Sequence, residues 1–262
     1  MITATNLPNP AAVPSRSPGT LLVAAVDVEW SKNYRVRGAN VPFCYSLVWL
    51  ALSPAGAGTG LGTGPYWYTS AYVHDTAETQ ELTTAAGHAL DRALCHADLV
   101  TGHQLSSDLA VLAAASGRPL PGVAAARTAW HQRRQVGPAA RPRIVDTRYD
   151  AGHILACPSR RLVDVCAGLG LDVSQPELRG TSMTALHRRW LETTDTTARE
   201  KVSVLNLRHS LSTALVAARA AGLGCWQDGL NVNRLLAGGL DGVFGWVSSP
   251  VFTALLGDSG AA

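Results

Sequence analysis

Two carboxylates stand one residue apart, directly after an apolar run near the start of the chain. Residues 21–26 are small or branched aliphatic residues, which predicts a buried strand, and Asp27 and Glu29 follow them. Side chains alternate along a strand, so these acids would share one face and repel each other. A divalent cation between them would remove the repulsion, and Mg²⁺ and Mn²⁺ bind carboxylate oxygens. The alternative is that the two acids only mark a strand end that meets solvent.

A third acid, Asp108, follows a second predicted strand. Residues 99–101 predict a short strand that ends at Gly102 and His103, and Asp108 lies at the start of a helix predicted for residues 106–115. The helix dipole stabilises an acid at this position. Asp108 is therefore either part of the same site or an ordinary acid at a helix N-terminus.

A histidine, His209, lies in the first turn of the most clearly predicted helix, which covers residues 206–221. Asn206 has the side chain of an N-cap, and Gly222 is placed to end the helix. An imidazole titrates near neutral pH, which suits it to accept a proton during catalysis. The alternative is a surface histidine with a structural partner.

The elements around these residues indicate one mixed α/β domain. Strands are predicted at residues 21–28, 42–52 and 66–73, and the Gly-rich residues 53–65 indicate a hairpin connection, hence an antiparallel meander. After residue 75 the apolar spacing becomes helical, and strands alternate with helices. The remaining predicted elements are helices at 76–96, 160–168 and 182–191 and a strand at 143–147.

The composition agrees with a folded domain of this kind. The chain has 262 residues, of which 47% are hydrophobic and 16% charged, and its formal net charge is +3. An anionic partner would therefore be bound by local patches rather than by the charge of the whole protein. The five cysteines lack the spacing of a zinc site or a disulfide framework, and no apolar run is long enough to span a bilayer. We predict a soluble, cytoplasmic protein without a membrane partner.

Three regions are predicted along the chain. Residues 1–19 are proline-rich and lack an apolar signal segment, which predicts a flexible tail. Residues 20–222 form the main domain. Residues 223–262 are apolar for a terminal segment, and we predict that they pack on the core or form the interface of a homodimer.

Together these motifs resemble the DEDDh family of 3′→5′ exonucleases, which includes RNase T, oligoribonuclease and the proofreading subunit of bacterial replicative polymerases. The first family motif is a strand that ends in Asp-x-Glu, as at Asp27 and Glu29. The second is Gly-His-Asn with an aspartate five residues after the histidine, and here His103 is followed by Gln104, instead of asparagine, and by Asp108.

The resemblance extends to the later part of the domain. Val145-Asp146-Thr147 matches the family's strand ahead of the last motifs, and His209 matches the histidine of the final motif. The resemblance implies a ribonuclease H-like mixed sheet of about five strands, the first three antiparallel, flanked by helices.

The final family motif is incomplete in this chain. Its acid would fall five residues after His209, where the chain has Ala214. In the alternative register His187 is the histidine and Glu192, five residues later, replaces the family's aspartate. We prefer His209 because its helix is the more regularly amphipathic, and we predict that Ala214 lies where the family has a metal ligand.

The resemblance implies a two-metal site that holds Mg²⁺ or Mn²⁺. Asp27, Glu29 and Asp108 would be the metal ligands, with Asp27 able to bridge two ions. His209 would be the general base that takes the proton of the attacking water. A missing acid at position 214 would weaken metal binding or abolish catalysis.

Cationic and aromatic residues near these motifs predict contacts with a nucleic acid. Residues 109–145 contain six arginines but no acid, which predicts a basic loop that contacts phosphates. A solvated loop is the alternative. Residues after the first two acids and within the second motif are predicted to contact the substrate as well. The predicted set is Trp30, Lys32, Asn33, Arg35, His103, Gln104, Arg133 and Arg134.

Three functions are compatible with these features. The first is a metal-dependent 3′→5′ exonuclease that hydrolyses single-stranded DNA or RNA ends, which the three acids and His209 favour. The second is a weakened or inactive exonuclease-like protein that binds nucleic acid or a protein partner, which Ala214 favours. The third, with less support, is a ribonuclease H-like phosphodiesterase that acts on small nucleotides.

Overall fold

A six-stranded mixed sheet is the centre of the fold. The computed structural model describes residues 1–32, 40–54, 61–137, 139–156, 158–224, 226, 229–240 and 242–257. The strands of the sheet are β1 (Ile2–Thr5), β2 (Leu21–Lys32), β3 (Asn40–Pro54), β4 (Leu61–Tyr72), β5 (Leu99–Gly102) and β6 (Arg143–Asp146). They lie in the order β1-β4-β3-β2-β5-β6. The predicted α/β class, with a mixed sheet flanked by helices, is confirmed.

The pairing directions place one long meander beside two short parallel strands. β3 is antiparallel to β2 and to β4, and β1 is antiparallel to β4. β5 runs parallel to β2, and β6 runs parallel to β5. The predicted Gly-rich connection between β3 and β4 includes residues 55–60, which lie outside the described residues. Because β2, β5 and β6 run in the same direction, their carboxyl ends meet at one edge of the sheet.

The helices cover both faces of the sheet. They are α1 (Thr79–His96), α2 (Leu105–Ala115), α3 (Pro121–Gln132), α4 (Thr147–Asp150), α5 (Leu162–Gly168), α6 (Met183–Thr193), α7 (Thr196–Ala220), α8 (Val232–Leu240) and α9 (Pro250–Thr253). Two further strands, β7 (Leu171–Asp172) and β8 (Leu230–Asn231), pair in parallel away from the main sheet. Among the described residues, no helix has the length and apolar character needed to cross a membrane.

Alternate residues of β2 belong to two separate apolar cores. Leu22, Ala24 and Val26 pack with buried residues of α1 and α2, whereas Val23 and Ala25 pack with buried residues of α7. β2 is thus buried on both faces, as a central strand should be. Asp27 continues the row of Val23 and Ala25, so it lies on the face that α7 covers.

The first correction concerns the N-terminal residues, which were predicted as a flexible tail over residues 1–19. Ile2 to Thr5 instead form the edge strand β1, with Ile2 opposite Tyr72 and Thr5 opposite Thr69. The Thr5 hydroxyl donates a hydrogen bond to the carbonyl of Tyr68 (2.6 Å). The strand is only four residues long and is followed by prolines, so its β-branched residues give too short a pattern to recognise.

The second correction concerns α7, predicted to begin at an Asn206 cap. The helix begins at Thr196, where the Asp195 side chain caps it by accepting a hydrogen bond from the Ala198 amide (3.2 Å). Asn206 is fully buried in the middle of the helix. A polar residue ahead of an apolar run is typical of a cap, but the residues before Asn206 are already helical, and Val202, Val204 and Leu205 among them are buried. His209 therefore lies mid-helix rather than in a first turn.

The third correction concerns the predicted basic loop over residues 109–145. Its first part belongs to α2, in agreement with the helix predicted for residues 106–115, but Pro121–Gln132 form a further helix, α3, where a loop was predicted. Pro121 occupies the start of α3, where a missing amide hydrogen costs nothing. The described part of the C-terminal region packs on the core, which is one of the two alternatives predicted for it, and Trp246 and Phe252 are buried in the cluster that α7 shares.

Candidate metal centre

Asp27, Glu29 and His209 meet where β2 passes under α7. The Nδ1 atom of His209 lies 3.5 Å from Asp27 Oδ2 and 3.4 Å from Glu29 Oε1. One ligand atom from each of the three residues lies within 4.8 Å of the others. The pairing of β2 with β3 shifts register directly after Glu29, and such bulges often occur next to functional sites because they redirect side chains. The three side chains together can hold a cation.

Asn206 of α7 completes the contact between the helix and the first acid. Its Nδ2 donates a hydrogen bond to Asp27 Oδ2 (2.6 Å), and its Oδ1 accepts one from Cys44 Sγ (3.6 Å). Below it, the hydroxyls of Ser46 and Ser210 are 2.7 Å apart. The face of α7 that meets the acids is therefore polar within an otherwise apolar helix–sheet interface.

Asp108 reaches the same strand from α2. Its side chain lies in the first turn of the helix, is 2% exposed, and accepts a hydrogen bond from the backbone of Val28. Its Oδ2 atom has no hydrogen-bond partner among the described residues. Burial raises the pKa of the Asp108 carboxyl well above its ordinary value, and the charges of Asp27 and Glu29 raise it further. Asp108 adjoins the group of three without belonging to it.

Burial and neighbouring charges shift the pKa of two side chains of this group, Glu29 and His209. Burial, followed by the charge of Asp27, raises the pKa of Glu29 to about 7. Burial alone would lower the pKa of His209, but its hydrogen bonds with Asp27 and Glu29 and their charges outweigh burial and raise that pKa to about 10. At neutral pH the ring of His209 is therefore cationic. The positive charge between the two acids is supplied, in the protein by itself, by an imidazolium.

The alternative register is contradicted by the position of His187. Its Nδ1 atom is 2.9 Å from the Tyr72 hydroxyl, and its ring stacks on Phe43 with the centroids 4.0 Å apart. Burial lowers the pKa of His187 to about 4. Glu192 is exposed. His187 thus belongs to an aromatic cluster in the core and not to the acidic site.

The prediction that Ala214 occupies the place of a missing ligand is wrong. Ala214 is fully buried in the apolar cluster that also contains Val23 and Ala25. Eight residues of α-helix, about 12 Å, separate it from Asn206. The residue of α7 that meets Asp27 beside His209 is Asn206, which sequence reasoning had assigned to a helix cap.

The predicted nucleic-acid contacts just after Glu29 lie only partly among the described residues. Trp30 is partly buried and packs against the core formed with α1 and α2. Lys32 is the last residue of β2. Asn33 and Arg35 lie outside the described residues.

The residues of the second motif are engaged within the protein. His103 contacts the Thr147 hydroxyl through Nδ1 (2.9 Å) and the Arg160 carbonyl through Nε2 (3.0 Å). Burial lowers the pKa of His103 to about 4, so the ring is neutral. Gln104 has a left-handed backbone (φ 68°), and its backbone N–H donates a hydrogen bond to Asp146 Oδ1 (3.0 Å). These contacts shape the turn that presents α2.

The two arginines predicted to contact phosphates both pair with Asp150. Arg133 donates from Nε to Asp150 Oδ2 (2.8 Å), lies over the ring of Trp130, and has a side chain only 7% exposed. Arg134 is 3.3 Å from Asp150 Oδ1 and is 68% exposed. Only Arg134 of this pair therefore offers a surface to an anion.

Sequence reasoning missed two residues of the site and its support. Asn206 was misassigned, and Gln175, whose side-chain nitrogen lies 3.1 Å from His209 Nε2, was not considered. Gln175 lies in an irregular segment and carries no local pattern that could have revealed it. No protein-family model matches the chain, and the curated proteins contain no match to it.

Proposed function

We propose that the protein is a divalent-metal-dependent 3′→5′ exonuclease that hydrolyses phosphodiester bonds at single-stranded nucleic-acid ends. The observation that carries this proposal is the meeting of Asp27, Glu29 and His209 within 4.8 Å at the second half of the central strand β2. Asp108 brings a third carboxyl to the same strand. Residues of these types hold the ions of phosphoryl-transfer sites and move protons beside them.

The residues fit a divalent cation. Asp108 has an unpartnered buried oxygen, which costs about 1–3 kcal/mol unless a ligand satisfies it. Burial raises the pKa of Glu29 and of Asp108, and the charges of neighbouring acids raise both further, so a bound cation would stabilise the charged carboxylates. Asp27, Glu29 and Asp108 would hold Mg²⁺ or Mn²⁺, both of which bind oxygen ligands. The ion would supply an activated water and charge for the phosphate.

His209 would act as the base that accepts the proton of the attacking water. In the protein alone its ring holds a proton against Asp27 and Glu29, with a pKa of about 10. The same two carboxylates cause this high pKa. A cation bound to Asp27 and Glu29 would neutralise their charge and so remove the interactions that hold the proton on His209. The pKa of His209 then falls towards the range in which an imidazole accepts a proton at neutral pH.

The order of the strands supports a ribonuclease H-like fold for this site. Three strands form an antiparallel meander, β2-β3-β4, and β5 and β6 continue the sheet on the other side of β2 in the same direction as β2. This matches the five-stranded mixed sheet expected from the resemblance, with β1 as an additional edge strand. The acids of the proposed site lie on and beside the central strand.

The second candidate is an exonuclease-like protein that binds its target without hydrolysis. The observation that favours it is the Asn206 amide on Asp27. An amide oxygen can bind a metal ion but adds no negative charge, so the site has fewer anionic ligands to hold a second cation. With the second cation weakly held, a two-metal reaction would be slow, and the protein would bind its target without cleaving it.

Digestion of end-labelled oligonucleotides with Mn²⁺ tests the proposal. The wild-type protein should shorten a 5′-labelled single strand stepwise by releasing mononucleotides from its 3′ end. A blocked 3′ end should prevent this shortening. Asp27→Ala should abolish it. Glu192→Ala removes an exposed acid away from the site and is the matched control that should keep activity. If wild-type protein and Asp27→Ala both bind the strand but leave it intact, the binding function replaces the exonuclease. If neither binds at low salt, both proposals fail.

A further inference from the structure

We propose that Gln175 is a positioning residue that orients the imidazole of His209, and that the C-terminal region holds Gln175 in place. The effect expected on turnover rests on the exonuclease proposed above, but the geometry does not. A chain of contacts runs from His209 to Gln175, then to a buried ion pair, and then to α8 and the turn Gly245–Ser248.

The ring of His209 is held at both nitrogens. Nδ1 faces Asp27 and Glu29 at 3.5 and 3.4 Å, and Nε2 faces the side-chain amide of Gln175 at 3.1 Å. An amide can present either its NH₂ group or its oxygen to a ring nitrogen, so this contact is available whether or not Nε2 carries a proton. With both nitrogens engaged, the ring cannot turn away from the acids without losing a hydrogen bond.

Gln175 is fixed because its neighbour Glu177 is anchored. Pro176 begins a short 3₁₀ turn, and Glu177 then receives both ends of the Arg208 guanidinium (2.8 Å each). Neither side chain is exposed to solvent at all. Arg208 directly precedes His209 in α7, so one ion pair ties the segment of Gln175 to the turn of helix that carries the imidazole. A buried bidentate pair of this kind is lost only at high cost.

The C-terminal region contacts both the ion pair and the segment that carries Gln175. Asn233 of α8 accepts a hydrogen bond from Arg208 Nε (2.6 Å) and donates one to the Ser174 carbonyl (3.4 Å). The indole Nε1 of Trp246 donates to Glu177 Oε1 (2.9 Å). Residues on both sides of Gln175 are therefore fastened by the C-terminal region. This region is part of the support of the site as well as a cover for the core.

Substitutions at Gln175 separate orientation from general stability. Gln175→Met keeps the length of the side chain but removes the amide, and Gln175→Glu keeps a hydrogen-bonding oxygen at the same length. We expect Gln175→Met to shift the ¹⁵N resonance of His209 Nε2 in the metal-free protein and to leave those of His187 unchanged, while Gln175→Glu restores the hydrogen-bonded signal. With Mn²⁺ and oligonucleotide, Gln175→Met should lower kcat about 10- to 100-fold with little change in KM.

Trp246→Phe tests the role of the C-terminal region. It removes one hydrogen bond to Glu177 and keeps most apolar contacts, and we expect a smaller shift of the same His209 resonance. Trp226→Phe is the matched control, because Trp226 donates to the Leu169 carbonyl (3.1 Å) rather than to the ion pair. It should leave the His209 signal in place.

The outcomes separate this proposal from the proposed function. An unchanged His209 Nε2 signal in Gln175→Met overturns the positioning role, whatever the activity. An unchanged signal in Trp246→Phe overturns the role of the C-terminal region. A shifted signal in a protein that cleaves no oligonucleotide supports the positioning of His209 and counts against the exonuclease alone.

Discussion

Replacing Asn206 with aspartate places a further carboxylate against Asp27. The amide now donates to Asp27 Oδ2 at 2.6 Å, so the two carboxylate charges would lie about 4 Å apart and repel each other by about 4 kcal/mol at an effective dielectric constant of about 20. The variant can avoid this repulsion if one of the two aspartates stays protonated. At pH 7 this requires a pKa about 3 units above the ordinary value, which again costs about 4 kcal/mol. Either way, Asn206→Asp should lose about 4 kcal/mol of stability without metal.

The assay is thermal unfolding in EDTA and in Mn²⁺. For a chain of this size, about 4 kcal/mol corresponds to a fall of roughly 8–16 °C in Tm. Mn²⁺ should recover more of the Tm in Asn206→Asp than it adds to the wild-type protein, because the added carboxylate tightens binding and a ligand at 100 times its Kd contributes about 2.7 kcal/mol.

Ala214→Asp is the matched control for this experiment. It buries a carboxylate among apolar side chains, so it should lower Tm in both conditions without recovery. If Mn²⁺ rescues Ala214→Asp and leaves Asn206→Asp unfolded, the assignment of Asn206 to the site is refuted and the register predicted from sequence is restored.

Three further predictions concern His209, His187 and the arginine pair Arg133 and Arg134. His209→Gln should slow turnover about 10²–10⁴-fold while Mn²⁺ still binds by calorimetry; unchanged turnover would remove His209 as the base. The pKa of His187 is about 4 in the folded protein and 6.5 ordinarily, so the unfolded chain binds the proton first and stability falls as the pH drops from about 6.5 to about 4. The loss in the free energy of unfolding is about 3 kcal/mol. Urea unfolding at pH 7 and pH 4 should show a smaller loss in His187→Gln than in the wild-type protein. An equal loss in the two proteins would contradict the buried neutral ring. Arg134→Ala should weaken oligonucleotide binding and flatten its salt dependence in filter-binding assays, whereas Arg133→Ala, which breaks the ion pair with Asp150, should mainly lower Tm. The reverse pattern would contradict the burial of Arg133.

The sequence predicted the parts of the site that lie on strongly patterned elements. Asp27 and Glu29 follow a long, continuous apolar run and lie in the same strand, β2, so their shared face could be worked out from alternation alone. Asp108 follows a short strand and opens a helix with regular apolar spacing. Both elements took the predicted form because local pattern and burial agree in them.

The rest depended on tertiary contacts that no local pattern records. The first six residues of α7, residues 196–201, are mostly polar and gave no sign that the helix began ten residues before Asn206, so a buried amide was taken for a cap. Gln175 meets His209 across 34 residues of sequence. Arg133 was assigned to phosphate contact because its partner, Asp150, lies beyond the acid-free stretch and is brought near only by α4.

Anomalous diffraction from crystals soaked in Mn²⁺ tests the central claim most directly. The claim is that Asp27, Glu29 and Asp108 form a divalent-cation site beside His209. We predict an anomalous peak within coordination distance of Asp27 and Glu29, on the side towards the unpartnered oxygen of Asp108, and no such peak in Asp27→Ala. Density that shows the His209 ring still between Asp27 and Glu29, with no manganese at any of the three carboxyls, would contradict the account.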